Sequence, residues 1–186
     1  MAAETEPETA PGMVARVNYR REGAGDLVRY IERGDDRDLR NEAGRSLSDR
    51  EVDRFVRRSE ECGFSRSVVL SVPDHADANP RLSDRQVERE TRRTMNEQLR
   101  NAPSARYVYG IHEDTDHRHA HIALTGLERD LAWDRDNLDQ LRERADKRFI
   151  ERHREFEREF ERDRDRDRDR GQERAIGRER GRTRER

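Results

Sequence analysis

The chain has 186 residues, of which 45% are charged and 30% are hydrophobic, and its formal net charge is −2. This composition is too polar for every residue to pack into a core, so we expect one domain with solvated or disordered segments. The small net charge excludes a uniformly basic protein. A single cysteine, Cys62, excludes an intramolecular disulfide. No apolar run is long enough for a membrane segment and the acidic N-terminus does not look like a secretory signal, so we expect a cytoplasmic protein.

The first third of the chain predicts one strand and two helices. Residues 13–20 have strand composition, and the short helix that follows has three residues on one face at helical spacing: Leu27, Tyr30 and Ile31. A polar loop is expected over residues 35–45. Ser48 and Glu51 have the spacing of a capping box, which opens a second helix that ends at Gly63.

The middle of the chain predicts the rest of the sheet. Residues 65–72 form the clearest buried strand, and a second capping box opens a helix over residues 83–99. Strands at 106–111 and 119–125 flank a histidine-rich loop, and a long helix begins near residue 134. This order predicts an α+β fold, in which helices pack on a central, mostly antiparallel sheet.

Composition divides the chain into three parts. Residues 1–12 are rich in proline, glutamate and threonine and are expected to be disordered. Residues 13–160 contain all the predicted strands and helices and form the expected folded domain, including its C-terminal helix. Residues 161–186 alternate arginine with aspartate and then become rich in arginine, glutamate and glycine, without an apolar face. We therefore predict a disordered, low-complexity tail.

Four of the six histidines lie within ten residues of one another: His112, His117, His119 and His121. His119 and His121 are two residues apart on a predicted strand and therefore share a face. A hairpin between the two strands would bring His112 close to them. Three imidazoles on neighbouring strands leave coordination positions open, as a catalytic metal requires. His117 is expected in the turn, with a fourth metal ligand as its alternative role, and Asp114 is a candidate to orient an imidazole. A structural zinc site and a polar turn without metal are the alternatives.

The stretch from Ile111 to Ile122, Ile-His-Glu-Asp-Thr-Asp-His-Arg-His-Ala-His-Ile, resembles the metal-binding motif of the HUH endonucleases. The resemblance is strongest to the conjugative relaxases, or mobilisation nucleases, and the order of strands and helices over residues 13–150 is similar as well. It implies an HUH-nuclease-like sheet and a divalent metal, Mg²⁺ or Mn²⁺, on the three histidines. The implied activity is site- and strand-specific nicking of DNA by a tyrosine.

Residues 28–34 resemble the segment that carries the nucleophile in these nucleases, so Tyr30 is the implied catalytic residue and Tyr19 is the runner-up. A phenol is a weak nucleophile at neutral pH and needs a base or a metal to activate it. The implied partners are single-stranded DNA at an origin of transfer and other mobilisation proteins. From the residues alone, the face that Tyr30 shares with Leu27 and Ile31 equally indicates a core tyrosine.

The sequence is compatible with two other functions. Rolling-circle replication initiators share the paired histidines and the tyrosine chemistry, but they usually carry the tyrosine on a later helix, and no tyrosine follows Tyr109. A non-catalytic DNA- or metal-binding module would keep the fold and the histidines without nicking DNA.

Overall fold

The computed structural model describes residues 14–20, 23–32, 39–71, 82–112 and 118–182. Over these ranges five strands form one sheet in the order β1-β3-β5-β4-β2, and every neighbouring pair is antiparallel. The strands are β1 (Val14–Arg20), β2 (Arg40–Asn41), β3 (Ser65–Ser71), β4 (Arg106–His112) and β5 (His119–Thr125). The predicted α+β class with an antiparallel sheet is confirmed.

Five helices accompany the sheet in the described part of the chain: α1 (Gly25–Glu32), α2 (Asp49–Cys62), α3 (Asp84–Gln98), α4 (Glu128–Leu131) and α5 (Arg135–Arg182). Both predicted capping boxes are present, at Ser48 and Ser83, because each serine lies three residues before a side chain that caps it in return. Gly63 ends α2 with a φ of 65°, a left-handed conformation that glycine adopts without strain. Strand β2 and helix α4 were not predicted.

Each face of the sheet buries its own hydrophobic cluster, because side chains alternate across the strands. On the α3–α5 face, the side chains from the sheet that join the cluster include Val68, Leu70, Tyr107, Tyr109, Ile122 and Leu124. On the α1–α2 face, the cluster includes Leu27, Val28, Ile31, Phe55, Val108 and Ala123. Burial of a side chain such as Ile31 contributes about 1.5–3 kcal/mol, so the three apolar residues of α1 hold this short helix on the sheet.

Helices α1 and α2 lie over only part of their face. Their main contacts with the sheet, within the described residues, are with β4 and β5. Arg16 and Asn18 on edge strand β1 point to this same face and are exposed. The part of this face over β1 and β3 is therefore left open beside the two helices, and its exposed β1 residues are polar.

A buried serine hydroxyl ties the start of α1 to α2. Ser59 Oγ accepts a hydrogen bond from the Ala24 N–H at 2.7 Å and donates one to the Val56 carbonyl at 2.6 Å. We expect Ser59→Ala to lower the free energy of unfolding by about 1–3 kcal/mol, because the buried Ala24 N–H loses its acceptor. Chemical denaturation measures this change. A loss below about 0.5 kcal/mol, the size of an ordinary surface effect, would contradict it.

Helix α5 extends further than the sequence predicts. Its first turns pack on the sheet, with Leu141, Ala145 and Phe149 buried. The helix then continues to Arg182, where a disordered tail was predicted from residue 161. No proline interrupts this stretch. Alternation of arginine with aspartate places opposite charges three residues apart, which favours a helix, and like charges four residues apart, which opposes it. The prediction for residues 1–12 lies outside the described residues.

Within the described ranges, no helix is both long enough and apolar enough to cross a membrane.

Candidate metal centre

Three of the four clustered histidines come together on the α1–α2 face of the sheet. His112 pairs with His119 across β4 and β5, and His121 pairs with Gly110, so all three imidazoles leave the same face. Their ring centroids are 4.4 to 5.6 Å apart, and their candidate ligand nitrogens lie within 4.8 Å of one another. This arrangement can hold a metal ion.

The burial of these imidazoles fits a ligand set better than it fits a hydrophobic core. His112, His119 and His121 are only 1%, 8% and 9% exposed. Imidazoles removed from water need polar partners, and three of them side by side in an apolar core would have no advantage over aliphatic residues. A bound cation that takes one nitrogen from each ring provides such a partner.

The orientation of His112 is set by helix α1. Its Nε2 lies 3.2 Å from the carbonyl oxygen of Ile31. A carbonyl oxygen only accepts hydrogen bonds, so this contact is a hydrogen bond in the tautomer that carries the proton on Nε2, and in that tautomer Nδ1 is the nitrogen that can bind a metal. Backbone carbonyls orient metal-binding histidines in this way in many proteins. The sequence indicated Asp114 for such a role, and Asp114 lies outside the described residues, as does His117.

Tyr30 lies beside the histidines and not in the core. Its ring centroid is 5.1 Å from that of His121 and 5.8 Å from that of His112, and the residue is 46% exposed. The face that α1 buries consists of Leu27, Val28 and Ile31. The interpretation of Tyr30 as a core residue is therefore wrong. The Tyr30 ring lies between the histidines and solvent.

The other three tyrosines belong to the opposite face of the sheet. Tyr19 pairs with Arg66 and its ring packs on Phe64, with centroids 4.6 Å apart. Tyr107 and Tyr109 are buried in the α3–α5 cluster, and burial raises the pKa of Tyr109 to about 12 and raises that of Tyr107 as well. Of the four tyrosines in the chain, all of them described, Tyr30 is the one next to the histidines.

A groove of about 500 Å³ opens beside Tyr30 and His121. Its remaining lining residues are Asp26, Leu27 and Arg29 of α1 and Ser67 and Val69 of β3. Arg16 is the direct neighbour of Val69 on β1, and Asn18 is the neighbour of Ser67. The groove therefore lies between His121 and the exposed residues of β1, with Arg29 in its lining and Arg16 on the strand next to it.

Comparison of the chain with protein-family models, with curated proteins and with solved structures finds no match.

Proposed function

We propose that this chain nicks single-stranded DNA in a metal-dependent transesterification with Tyr30 as the nucleophile, as in the relaxases that it resembles. The observation that carries this proposal is the contact of the exposed Tyr30 ring with buried, converging His112 and His121. A structural metal site needs no exposed phenol at its open side. The origin of transfer as substrate and mobilisation proteins as partners follow from the resemblance alone.

The chemistry requires few groups. The phenolic oxygen of Tyr30 loses its proton and attacks phosphorus, the bond from phosphorus to the 3′ oxygen breaks, and that oxygen gains a proton. The products are a 5′-phosphotyrosyl protein and a free 3′-OH, and the reverse reaction rejoins the strand. His112, His119 and His121 would hold a divalent ion, which would supply charge stabilisation at the phosphate. Neutral imidazole ligands would leave the full positive charge of that ion available to the phosphate.

The donor set favours Mn²⁺ over Mg²⁺ as the working ion. Mg²⁺ prefers oxygen ligands and gives up its water reluctantly. Mn²⁺ also suits oxygen ligands and binds nitrogen less tightly than the later first-row metals, but it accepts imidazole more readily than Mg²⁺ does. His112, His119 and His121 offer three nitrogens and no carboxylate among the described ligands. Activity with Mn²⁺ is therefore expected to exceed activity with Mg²⁺ at equal concentration.

The experiment that tests the function is an adduct assay on the full chain. A labelled pool of random single-stranded oligonucleotides is incubated with the protein and Mn²⁺, Mg²⁺, Zn²⁺ or EDTA, and the products are separated on a denaturing gel. We expect a protein–DNA adduct that needs a divalent ion. If no ion yields an adduct or a cut strand, the chain is better explained as a non-catalytic DNA- or metal-binding module.

Binding of single-stranded DNA tests the groove separately from catalysis. Arg16 is exposed beside the groove, so Arg16→Ala is expected to weaken binding and to reduce the dependence of log affinity on log salt by about one unit. Fluorescence anisotropy in EDTA, from about 50 to about 200 mM salt, measures both effects. The matched control is Arg142→Ala, an exposed arginine of α5. Equal losses in the two variants would exclude a specific role for this groove.

A further inference from the structure

We propose that Gly110 and the carbonyl of Ile31 couple metal binding to the position of Tyr30. Gly110 is then a positioning residue, which touches neither metal nor DNA. The inference rests on the metal-binding part of the proposed function and does not depend on nicking.

The first observation is the close approach of α1 to β4. A Cβ atom built on Gly110 would lie 2.6 Å from Cγ2 of Ile31 and 3.8 Å from its carbonyl oxygen. Ile31 is fully buried, and Cγ2 is a methyl group attached directly to its Cβ, so it has little freedom to move. A side chain at position 110 would therefore displace α1. Glycine at this position allows the helix to lie against the strand that carries His112.

The second observation is that the same turn of α1 contacts the histidines twice. The Ile31 carbonyl accepts the hydrogen bond from His112 Nε2, and the adjacent Tyr30 ring packs beside His112 and His121. Movement of α1 away from Gly110 would lengthen the hydrogen bond that orients His112. The same movement would shift the Tyr30 ring. Coupling of this kind is reciprocal, so a metal that fixes His112 also holds α1 in place.

The test measures metal affinity in variants that leave all three ligands intact. Gly110→Ala is expected to weaken Mn²⁺ binding about tenfold in calorimetric titrations, the effect of losing a contact that orients a ligand. Adding Ile31→Leu should restore most of that affinity, because leucine has no Cγ2 methyl and keeps the apolar volume. The matched control is Gly126→Ala, where a Cβ would also be tight, at 3.1 Å from Ala105 Cα, but at the other end of β5.

The position of Tyr30 is followed by fluorine NMR of protein labelled with fluorotyrosine. Bound Mn²⁺ broadens nearby signals, so the Tyr30 signal should broaden strongly and that of Tyr19, on the opposite face, much less. In Gly110→Ala at saturating Mn²⁺, the difference in broadening between the Tyr30 and Tyr19 signals should be smaller. Hydrogen exchange of the unaltered chain needs no variant, and Mn²⁺ should slow the exchange of the amides in α1. This measurement provides the test if Gly110→Ala does not fold.

The outcomes separate this inference from the proposed function. Wild-type affinity in Gly110→Ala, an equal loss in Gly126→Ala, or exchange in α1 that ignores Mn²⁺ would each overturn the coupling and leave the metal site standing. Failure of the unaltered chain to bind any of Mn²⁺, Mg²⁺ and Zn²⁺ would remove the metal site itself, and with it the proposed function.

Discussion

Tyr30→Phe is expected to abolish DNA nicking and the covalent adduct, with a loss of rate on the order of 10⁴-fold or more, because the attacking oxygen is removed. The substitution deletes one atom from a side chain that is 46% exposed. Stability should therefore stay within about 0.5 kcal/mol of the unaltered chain. Binding of single-stranded DNA and of Mn²⁺ should also persist, since neither needs the hydroxyl. The adduct gel, anisotropy and calorimetry measure the three properties side by side.

Tyr19→Phe is the matched control for this variant. Tyr19 is 43% exposed, close to the value for Tyr30, but it lies on the opposite face of the sheet against Phe64. Nicking should be unchanged in Tyr19→Phe. An adduct that survives Tyr30→Phe and disappears in Tyr19→Phe would identify a different nucleophile and would require DNA to bind on the other face.

Much of the sheet could be predicted because its signals are local. Strand β5 begins and ends at the predicted residues, and β3 begins at the predicted residue 65 and extends through the described part of the predicted 65–72. A capping box is contained within four residues, and alternation along β5 is enough to place His119 and His121 on one face. The pairing of His112 with His119 follows from joining two such strands by a short turn.

The side of α1 that faces the core could not be predicted locally. Leu27 and Ile31 pack inward with either Tyr30 or Val28, and both combinations have helical spacing. The choice depends on β4, where Gly110 leaves room for Ile31 to approach. The hydrogen bond from His112 to Ile31 could not be predicted from the sequence either. Its acceptor is a backbone carbonyl 81 positions away, and every residue type has such a carbonyl.

Strand β2 escaped prediction for a related reason. It has two residues, Arg40 and Asn41, which are too few to show alternation. Its backbone pairs with Tyr109 and Val108 at the edge of β4, so the strand exists because a partner edge is present. A polar segment without periodicity gives no indication of such a partner.

The paired substitution His119→Ala/His121→Ala is expected to weaken Mn²⁺ binding by well over 100-fold, because direct ligands contribute more than the groups that orient them. In the unaltered chain, Mn²⁺ at 100 times its Kd should raise the free energy of unfolding by about 2.7 kcal/mol, since the ion binds the folded state. The paired variant should show no such increase. Thermal unfolding with Mn²⁺ and with EDTA compares the two chains directly.

The same comparison separates a catalytic site from a structural one. A catalytic metal binds to a domain that is already folded without it. Both faces of the sheet have hydrophobic clusters that can stabilise the fold in the absence of metal. The paired variant in EDTA should therefore unfold cooperatively and stay folded at room temperature. Tyr30→Phe is its matched control, because it keeps all three imidazoles and should keep the stabilisation by Mn²⁺. If the unaltered chain unfolds in EDTA, the histidines hold a structural ion, and the exposed tyrosine beside them would need another explanation.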